Sequence, residues 1–350
     1  MSAVLTGSYG NETPSGPARL ESGRSVVFLG ALAIILALLA PAILAQAQPR
    51  EKIARIGFLC PLFKPGSSLL ALRQGLQELG YVEGQNVAIE SRFAEEKLER
   101  MASLAAELVR LKVDVLVPMG PAATRAARQA TTVIPIVLAG TADPVGTGLV
   151  ASLSRPGGNI TGMSSLTAEL AGKRVELLKE VVPGLTRLGV FWDPQEPEEA
   201  AEWKQTQLAA RALGLQLQSL EVPGFADMEK VLMALDRSRV DALINLGWIG
   251  PSSTRGRRVA EFAAKQRLPA MYGRRVFVQA GGLLSYGPNY DELFRRAAAH
   301  VHKILTGANP GDLPVEEPGK FELIINLKTA RNLGLRIPQS VLLRADRVIE

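Results

Sequence analysis

From residue 53 to the C-terminus, short apolar segments alternate with longer segments of helical period. The first series of predicted strands covers residues 53–59, 87–93, 113–119, 134–139 and 160–164, with helices at 67–79, 95–111 and 122–130. Strands that alternate with single helices are typical of βα units with parallel strands. The strands are almost continuously apolar, as expected when helices cover both faces of a sheet.

A second series of the same kind follows. Its predicted strands cover residues 188–192, 215–220, 242–246, 269–272 and 283–286, with helices near 168–182, 197–213, 226–237 and 253–266. The chain is too long for one ordinary domain. We therefore predict an α/β protein with two doubly wound, parallel-sheet lobes joined by a hinge.

Turn-rich segments indicate where the chain passes between the lobes. Residues 155–159 (RPGGN) and 285–288 (SYGP) are such segments. We expect the helix over 290–305 to pack on the first lobe and the strand over 321–326 to return to the second. The predicted boundaries are residues 53–162 plus 289–320 for lobe 1, and 163–288 plus 321–350 for lobe 2. Several short crossings of this kind allow closure around a ligand.

The N-terminal 47 residues are typical of a targeting segment. Residues 26–40 are apolar without a charge, Arg19 and Arg24 precede them, and residues 45–47 (AQA) match a cleavage site. We predict a signal peptide cut after Ala47, or alternatively an uncleaved membrane anchor. Either places the body outside the cytoplasmic membrane, in the periplasm, and leaves membrane contact to the leader or a membrane partner.

Composition and motifs exclude several other classes. The net charge of +6 comes from scattered basic residues, which argues against a nucleic-acid partner. The one cysteine, Cys60, excludes an intramolecular disulfide.

The sequence motifs do not indicate catalysis. His300 and His302 are two apart on a predicted helix, so they face different sides and cannot share a metal. Residues 146–151 (GTGLVA) match a dinucleotide-binding pattern but lie too far from the preceding strand, so we predict that they open a helix. We expect no enzyme activity, no metal and no cofactor.

Several longer motifs resemble one family. They are residues 74–76 (QGL), 80–87 (GYVEGQNV), 142–145 (ADPV), 148–150 (GLV), 153–162 (LSRPGGNITG), 280–288 (AGGLLSYGP) and 320–330 (KFELIINLKTA). The chain resembles the substrate-binding proteins of ABC transporters that are assigned to tryptophan and tyrosine transport, from about residue 54 to the C-terminus.

The resemblance implies a type I periplasmic-binding-protein fold and a periplasmic location. It also implies an ABC permease and its ATPase as partners, and a hydrophobic or aromatic amino acid as the ligand. A different use of the same fold is a ligand-sensing protein that feeds a separate signalling receptor.

In doubly wound sheets, ligands bind beyond the carboxyl ends of the strands. The residues at these ends that we predict to bind the ligand are Ser67, Ser68, Gly120, Pro121, Ala122, Asp143, Trp192, Trp248, Tyr272 and Arg274.

Different chemistry is expected of these loops. Free N–H groups at the helix start after Gly120 suit a carboxylate. Asp143 suits an ammonium group, or caps the next helix. Trp248 suits stacking on a planar ligand, or packs within its lobe. Arg274 suits a ligand carboxylate or a structural ion pair, and the hydroxyls of Ser67 and Ser68 suit a ligand or a helix cap.

Overall fold

The structure is a computed structural model that describes residues 53–63, 66–223, 228–236, 240–247 and 254–350. The predicted signal peptide and Trp248 lie outside the described residues. Among the described residues, no helix combines the length and the apolar composition that a membrane crossing requires.

The first half of the chain forms a parallel five-stranded sheet. Its strands are β1 (Ala54–Cys60), β2 (Val87–Phe93), β3 (Val115–Pro118), β4 (Ile136–Thr141) and β5 (Ile160–Ser164), in the order β2-β1-β3-β4-β5. The helices between them are α1 (Ser67–Glu78), α2 (Met101–Arg110) and α3 (Pro121–Ala130).

The second half forms a seven-stranded sheet. Its strands are β6 (Arg187–Trp192), β7 (Gln216–Glu221), β8 (Ala242–Asn245), β9 (Ala270–Tyr272), β10 (Leu284–Pro288), β11 (Phe321–Asn326) and β12 (Arg347–Ile349), in the order β12-β11-β10-β9-β8-β6-β7. The helices are α4 (Ala171–Val181), α5 (Pro197–Ala212), α6 (Met228–Asp236), α7 (Thr254–Lys265), α8 (Arg275–Gln279), α9 (Tyr290–Leu305), α10 (Leu327–Asn332) and α11 (Gln339–Leu342).

The predicted α/β class with two doubly wound sheets is confirmed, with one exception to the parallel pattern. β11 runs antiparallel to β10, because the chain leaves this sheet after β10 and re-enters it from the opposite direction. α9, which lies between these two strands in sequence, packs against α1 of the five-stranded sheet. We call the five-stranded sheet with α1, α2, α3 and α9 the first lobe, and the seven-stranded sheet with its remaining helices the second lobe.

Alternating strand side chains build a core on each face of the first sheet. Phe58 of β1 and Val137 of β4 belong to the core under α1 and α9, whereas Leu59 and Leu138 belong to the core under α2 and α3. The second sheet is covered on both faces in the same way. Burial on both sides explains why central strands such as β3, β4 and β8 are buried at every position and mainly apolar instead of alternating.

The segment from Gly146 to Ala151 corrects one prediction. These residues form turns, not the start of a helix. The carboxylate of Asp143 accepts a hydrogen bond from the N–H of Gly146 at 2.7 Å, and the carbonyl of Asp143 accepts one from the N–H of Thr147. Side-chain bonding of this kind competes with a helix and stabilises a turn.

The close approach of α1 and α9 generates a stability prediction. A Cβ on Gly75 would collide with the carbonyl oxygen of Arg295 and lie 2.8 Å from the Cβ of Ala298. Gly75→Ala should therefore force the two helices apart and lower the free energy of unfolding by about 1–3 kcal/mol, measured by denaturant titration.

Gly172 in α4 is the matched control, because its added Cβ would meet Ala209 at an ordinary 3.7 Å. Gly172→Ala should leave stability unchanged or raise it by up to ~1 kcal/mol, the helix-propensity gain. Equal effects of the two substitutions would contradict the packing described for α1 and α9.

Candidate functional site

The two lobes face each other across the loops that follow their strands. In the first lobe these loops follow β3 and β4, and in the second lobe they follow β6 and β8. This is the edge of a doubly wound sheet at which ligands bind.

The loop after β3 leads into α3 through a conformation that favours glycine. Gly120 has φ +81° and Pro121 occupies the first turn, while no side chain caps the helix start. The Gly120 carbonyl accepts hydrogen bonds from both the N–H and the hydroxyl of Thr124. The N–H group of half-buried Ala122, in the first turn, therefore has no side-chain cap, and Pro121 beside it lines the pocket described below, an arrangement that suits an anion.

The loop after β4 positions Asp143, whose carboxylate is used locally. Its Oδ1 bonds the N–H of Gly146, and a Cβ on Gly146 would collide with Oδ2. Thr147, whose hydroxyl donates to the Asp143 carbonyl, is thereby held at the rim of the cleft. The predicted role of Asp143 as an ammonium acceptor stays a prediction, and the turn occupies at least one of its oxygens.

Glu199 ties together the two cleft loops of the second lobe. Its Oε2 accepts the N–H of Asp193, at the end of β6, at 2.7 Å. Its carboxylate also lies over Gly247, after β8, where φ is +90° and an added Cβ would collide with it. Glu199 is 4% exposed, so a buried side chain holds the loops after β6 and β8 together.

Two ionic contacts join the lobes. Arg125 of α3 donates to both carboxylate oxygens of Glu196, at 2.6 and 2.9 Å. In the second contact, Arg275 of α8 pairs with Asp291 of α9, which also accepts the Ser67 hydroxyl at 2.6 Å. The lobes are thus in contact, and charged side chains from both sides make that contact.

A pocket of about 310 Å³ lies between the lobes beside the first of these contacts. Its residues are Pro121, Arg125, Arg128, Gln129, Thr147 and Leu149 of the first lobe, and Pro197 and Glu198 of the second. A volume of this order is at the lower end of the range for small-molecule sites. The apolar surfaces of the two prolines and Leu149, with charged groups at the margin, suit a ligand with an apolar body and polar ends.

Glu198 is the most unusual titratable group of the pocket. It is 6% exposed, and the backbone N–H of Ala142 in the first lobe bonds its carboxylate. The pKa of Glu198 is raised to about 8, mainly by burial and also by the negative charges of Glu202 and Glu196, while the Ala142 N–H and the charge of Arg125 act to lower it.

A second buried charge, Arg174 of α4, lies where the chain crosses between the lobes. Its Nε donates to the carbonyl of Tyr286 at 2.8 Å, and its Nη1 donates to Glu202 at 2.8 Å and to the Thr167 carbonyl. Arg174 is 1% exposed, and its Nη2 has no hydrogen-bond partner among the described residues. The guanidinium therefore holds the segments after β5 and within β10 in one place.

The predicted residue Arg274 contacts Tyr290 at the same junction. The guanidinium of Arg274 lies over the ring of Tyr290, 4.4 Å from its centroid, which joins the second lobe to the start of α9. Burial lowers the pKa of Arg274 and raises that of Tyr290 to about 12. Ser165 Oγ lies near the Tyr290 hydroxyl but is buried without a hydrogen bond of normal geometry.

The remaining predicted residues pack inside their lobes. Trp192 stacks on Trp203 with ring centroids 5.3 Å apart, and its Nε1 donates to Ser219 Oγ. Tyr272 is 1% exposed and stacks on Phe277, and Ser68 is 3% exposed. Of the predicted residues, Pro121 lines the pocket, with Gly120 and Ala122 next to it in the chain, whereas Trp192 and Tyr272 lie in the core of the second lobe.

Sequence reasoning did not identify Glu198, Arg125, Arg174 or Glu202. The acids at 198 and 199 directly follow a proline at the start of α5, where acidic residues commonly favour the helix dipole. The signal that was available is weak: three glutamates in six residues on a helix that follows a strand-end loop. The burial of these glutamates depends on packing against the other lobe and on Arg174.

A model of one protein family, described as "ABC transporter substrate binding protein", matches residues 67–349. The chain belongs to this family of ABC transporter substrate-binding proteins. The description of the family is that of a substrate-binding protein. The chain also has the type I periplasmic-binding-protein fold.

Three similar proteins show the extent of the likeness. The "Tyrosine-binding protein" of Clostridioides difficile (strain R20291) is 26% identical over 264 residues, which cover 75% of each chain. A conserved domain protein of Vibrio cholerae has 29% identity and a TM-score of 0.78 over 85% of this chain and 100% of its own. An ABC domain of Streptococcus pneumonia, solved in complex with L-Trp, has 28% identity and a TM-score of 0.77 over 85% and 99%.

The buried pair Arg174–Glu202 generates a second stability prediction for this substrate-binding protein. The two side chains are 1% and 5% exposed. Arg174→Met should leave the Glu202 carboxylate buried without its ion-pair partner and lower the free energy of unfolding by about 3–5 kcal/mol, measured by denaturant titration.

The neighbouring Lys173 is the control, because it pairs with Glu176 on the surface, where the side chains are 42% and 49% exposed. Lys173→Met should change stability by no more than ~1 kcal/mol. If Arg174→Met is tolerated equally well, the buried pair does not hold the junction together.

Proposed function

We propose that this protein is the exported solute-binding subunit of an ABC importer and that it closes on an aromatic L-amino acid. The observation that carries the proposal is the pocket between the lobes, which has apolar walls and charged groups contributed by both lobes. Two relatives support the ligand class, since one is named for tyrosine and another was solved with L-Trp.

The pocket offers a different partner for each end of such a ligand. The start of α3, without a side-chain cap, suits the carboxylate. The apolar surfaces of Pro121, Leu149 and Pro197 suit the aromatic ring. That Trp248 stacks on the ring stays a prediction from the sequence, because Trp248 lies outside the described residues.

Delivery requires partners outside this chain. We propose that the leader directs export to the periplasm and that a membrane permease with its ATPase accepts the ligand. The apolar segment 26–40 and the AQA motif at 45–47 support export, and family membership supports the transporter partners.

Calorimetry of the body from Gln48 with L-Trp, L-Tyr and L-Phe tests the ligand class. We expect Kd values of about 1 μM or lower, which correspond to about −8 kcal/mol, and much weaker binding of L-Glu and of D-Trp. Absence of binding by all three aromatic L-amino acids would contradict the proposed function.

A matched pair of variants tests the location. Leu149→Trp should fill the pocket and weaken binding of the preferred ligand by at least about tenfold. Leu208→Trp changes an exposed position on α5, 51% accessible, and should leave the affinity unchanged. Equal affinity for both variants would place the ligand elsewhere.

A further inference from the structure

Glu198 is an ionisable residue that is buried between the two lobes. It belongs to the second lobe, lines the pocket between the lobes, and is buried to 6% exposure. Its hydrogen-bond donor, the N–H of Ala142, belongs to the first lobe. Glu198 therefore becomes buried through the contact between the lobes.

The neighbouring charges are already paired. Arg125 is held in a two-pronged bond by Glu196, and Arg174 is held by Glu202. Among the described residues, no Lys or Arg forms an ion pair with Glu198 itself. Arg128 also lines the pocket but is exposed. A buried carboxylate without a counter-ion is unfavourable, so the site lacks one positive charge.

We propose that Glu198 receives the ammonium group of the ligand, and that its unbalanced charge disfavours closure of the lobes while the cleft is empty. This inference rests on the proposed function, because it takes the ligand to be an amino acid. The geometry favours Glu198 over Asp143 for this role, since the turn at Gly146 already occupies the Asp143 carboxylate.

The consequence is a link between protons, ligand and closure. With the lobes apart, Glu198 is solvated and should titrate near the ordinary pKa of about 4.3. With the lobes together and the pocket empty, burial raises the pKa to about 8. Empty closure near pH 7 therefore takes up a proton, and it becomes more favourable as the pH falls from about 8 toward 5.

A bound amino acid removes the need for this proton uptake. Its ammonium group supplies the missing positive charge, so Glu198 can stay ionised in the closed, occupied state. The ligand thereby binds the closed form better than the open form, which is the condition for shifting the population toward closure. Three charged groups face Glu198: Arg125 on α3, Glu202 on α5, and Glu196 at the N-cap of α5. The two glutamates raise the pKa of Glu198, and Arg125 lowers it.

Calorimetry tests the ammonium contact. Glu198→Gln should lower the affinity for L-Trp by about tenfold to a hundredfold, the value of a charge-assisted hydrogen bond. It should not weaken the binding of 3-(indol-3-yl)propionate, which lacks the ammonium group, and should strengthen it, because the variant also removes the charge that opposes closure. Glu198→Asp keeps the charge and should recover part of the affinity. Glu221→Gln, at an exposed position of the same lobe, should bind L-Trp like the parent.

Small-angle scattering without ligand tests the effect on closure. The radius of gyration of the parent should decrease between about pH 8.5 and pH 5.5. Glu198→Gln, which carries no charge at this position, should show the smaller radius at both pH values. A parent radius that does not change with pH would overturn the closure role.

The outcomes separate this inference from the proposed function. If the parent binds L-Trp and folded Glu198→Gln binds it equally well, Glu198 does not receive the ammonium group and the proposed function survives. If the parent binds no amino acid, the proposed function and the ammonium contact both fail. The ligand-free scattering then decides the closure role by itself.

Discussion

The arrangement of the cleft depends on the buried guanidinium of Arg174. It is the point at which α4, the crossing segment after β5 and strand β10 are joined, through the Thr167 and Tyr286 carbonyls and Glu202. Its other side packs against Gly273, where a Cβ would lie 3.0 Å from Nη2. Burying an ion pair costs desolvation that good geometry must offset, so this pair specifies the junction more than it stabilises the fold.

The junction in turn determines what faces the cleft. The positive charge of Arg174 compensates the negative charge of Glu202, so the acidic first turns of α5 can be buried. Within these turns, Glu199 accepts the N–H of Asp193, and Glu196 pairs with Arg125. Glu198 is the carboxylate of this group for which the described residues provide only a backbone N–H. Such an arrangement suits a protein that binds and releases a ligand. The charge of Glu198 is balanced in the closed state with ligand and unbalanced in the closed state without it, so the ligand favours closure.

The fold could be predicted from the sequence because it depends on local patterns. β2, β5 and β11 cover the residues that the sequence pattern predicted for them, and α9 covers the predicted residues. The reversed direction of β11 and the turns at 146–151 could not be predicted, since they depend on the return path of the chain and on the Asp143 side chain. The role of Glu198 was also hidden, because a glutamate in a first helical turn looks like an ordinary dipole partner until the other lobe buries it.

Hydrogen–deuterium exchange with and without saturating L-Trp tests most directly whether the ligand binds between the lobes. The account predicts protection in peptides from both lobes, covering the start of α3, the loop at 142–147, and residues 193–199. Protection confined to one lobe, or to surfaces away from the pocket such as that between α6 and α7, would contradict it.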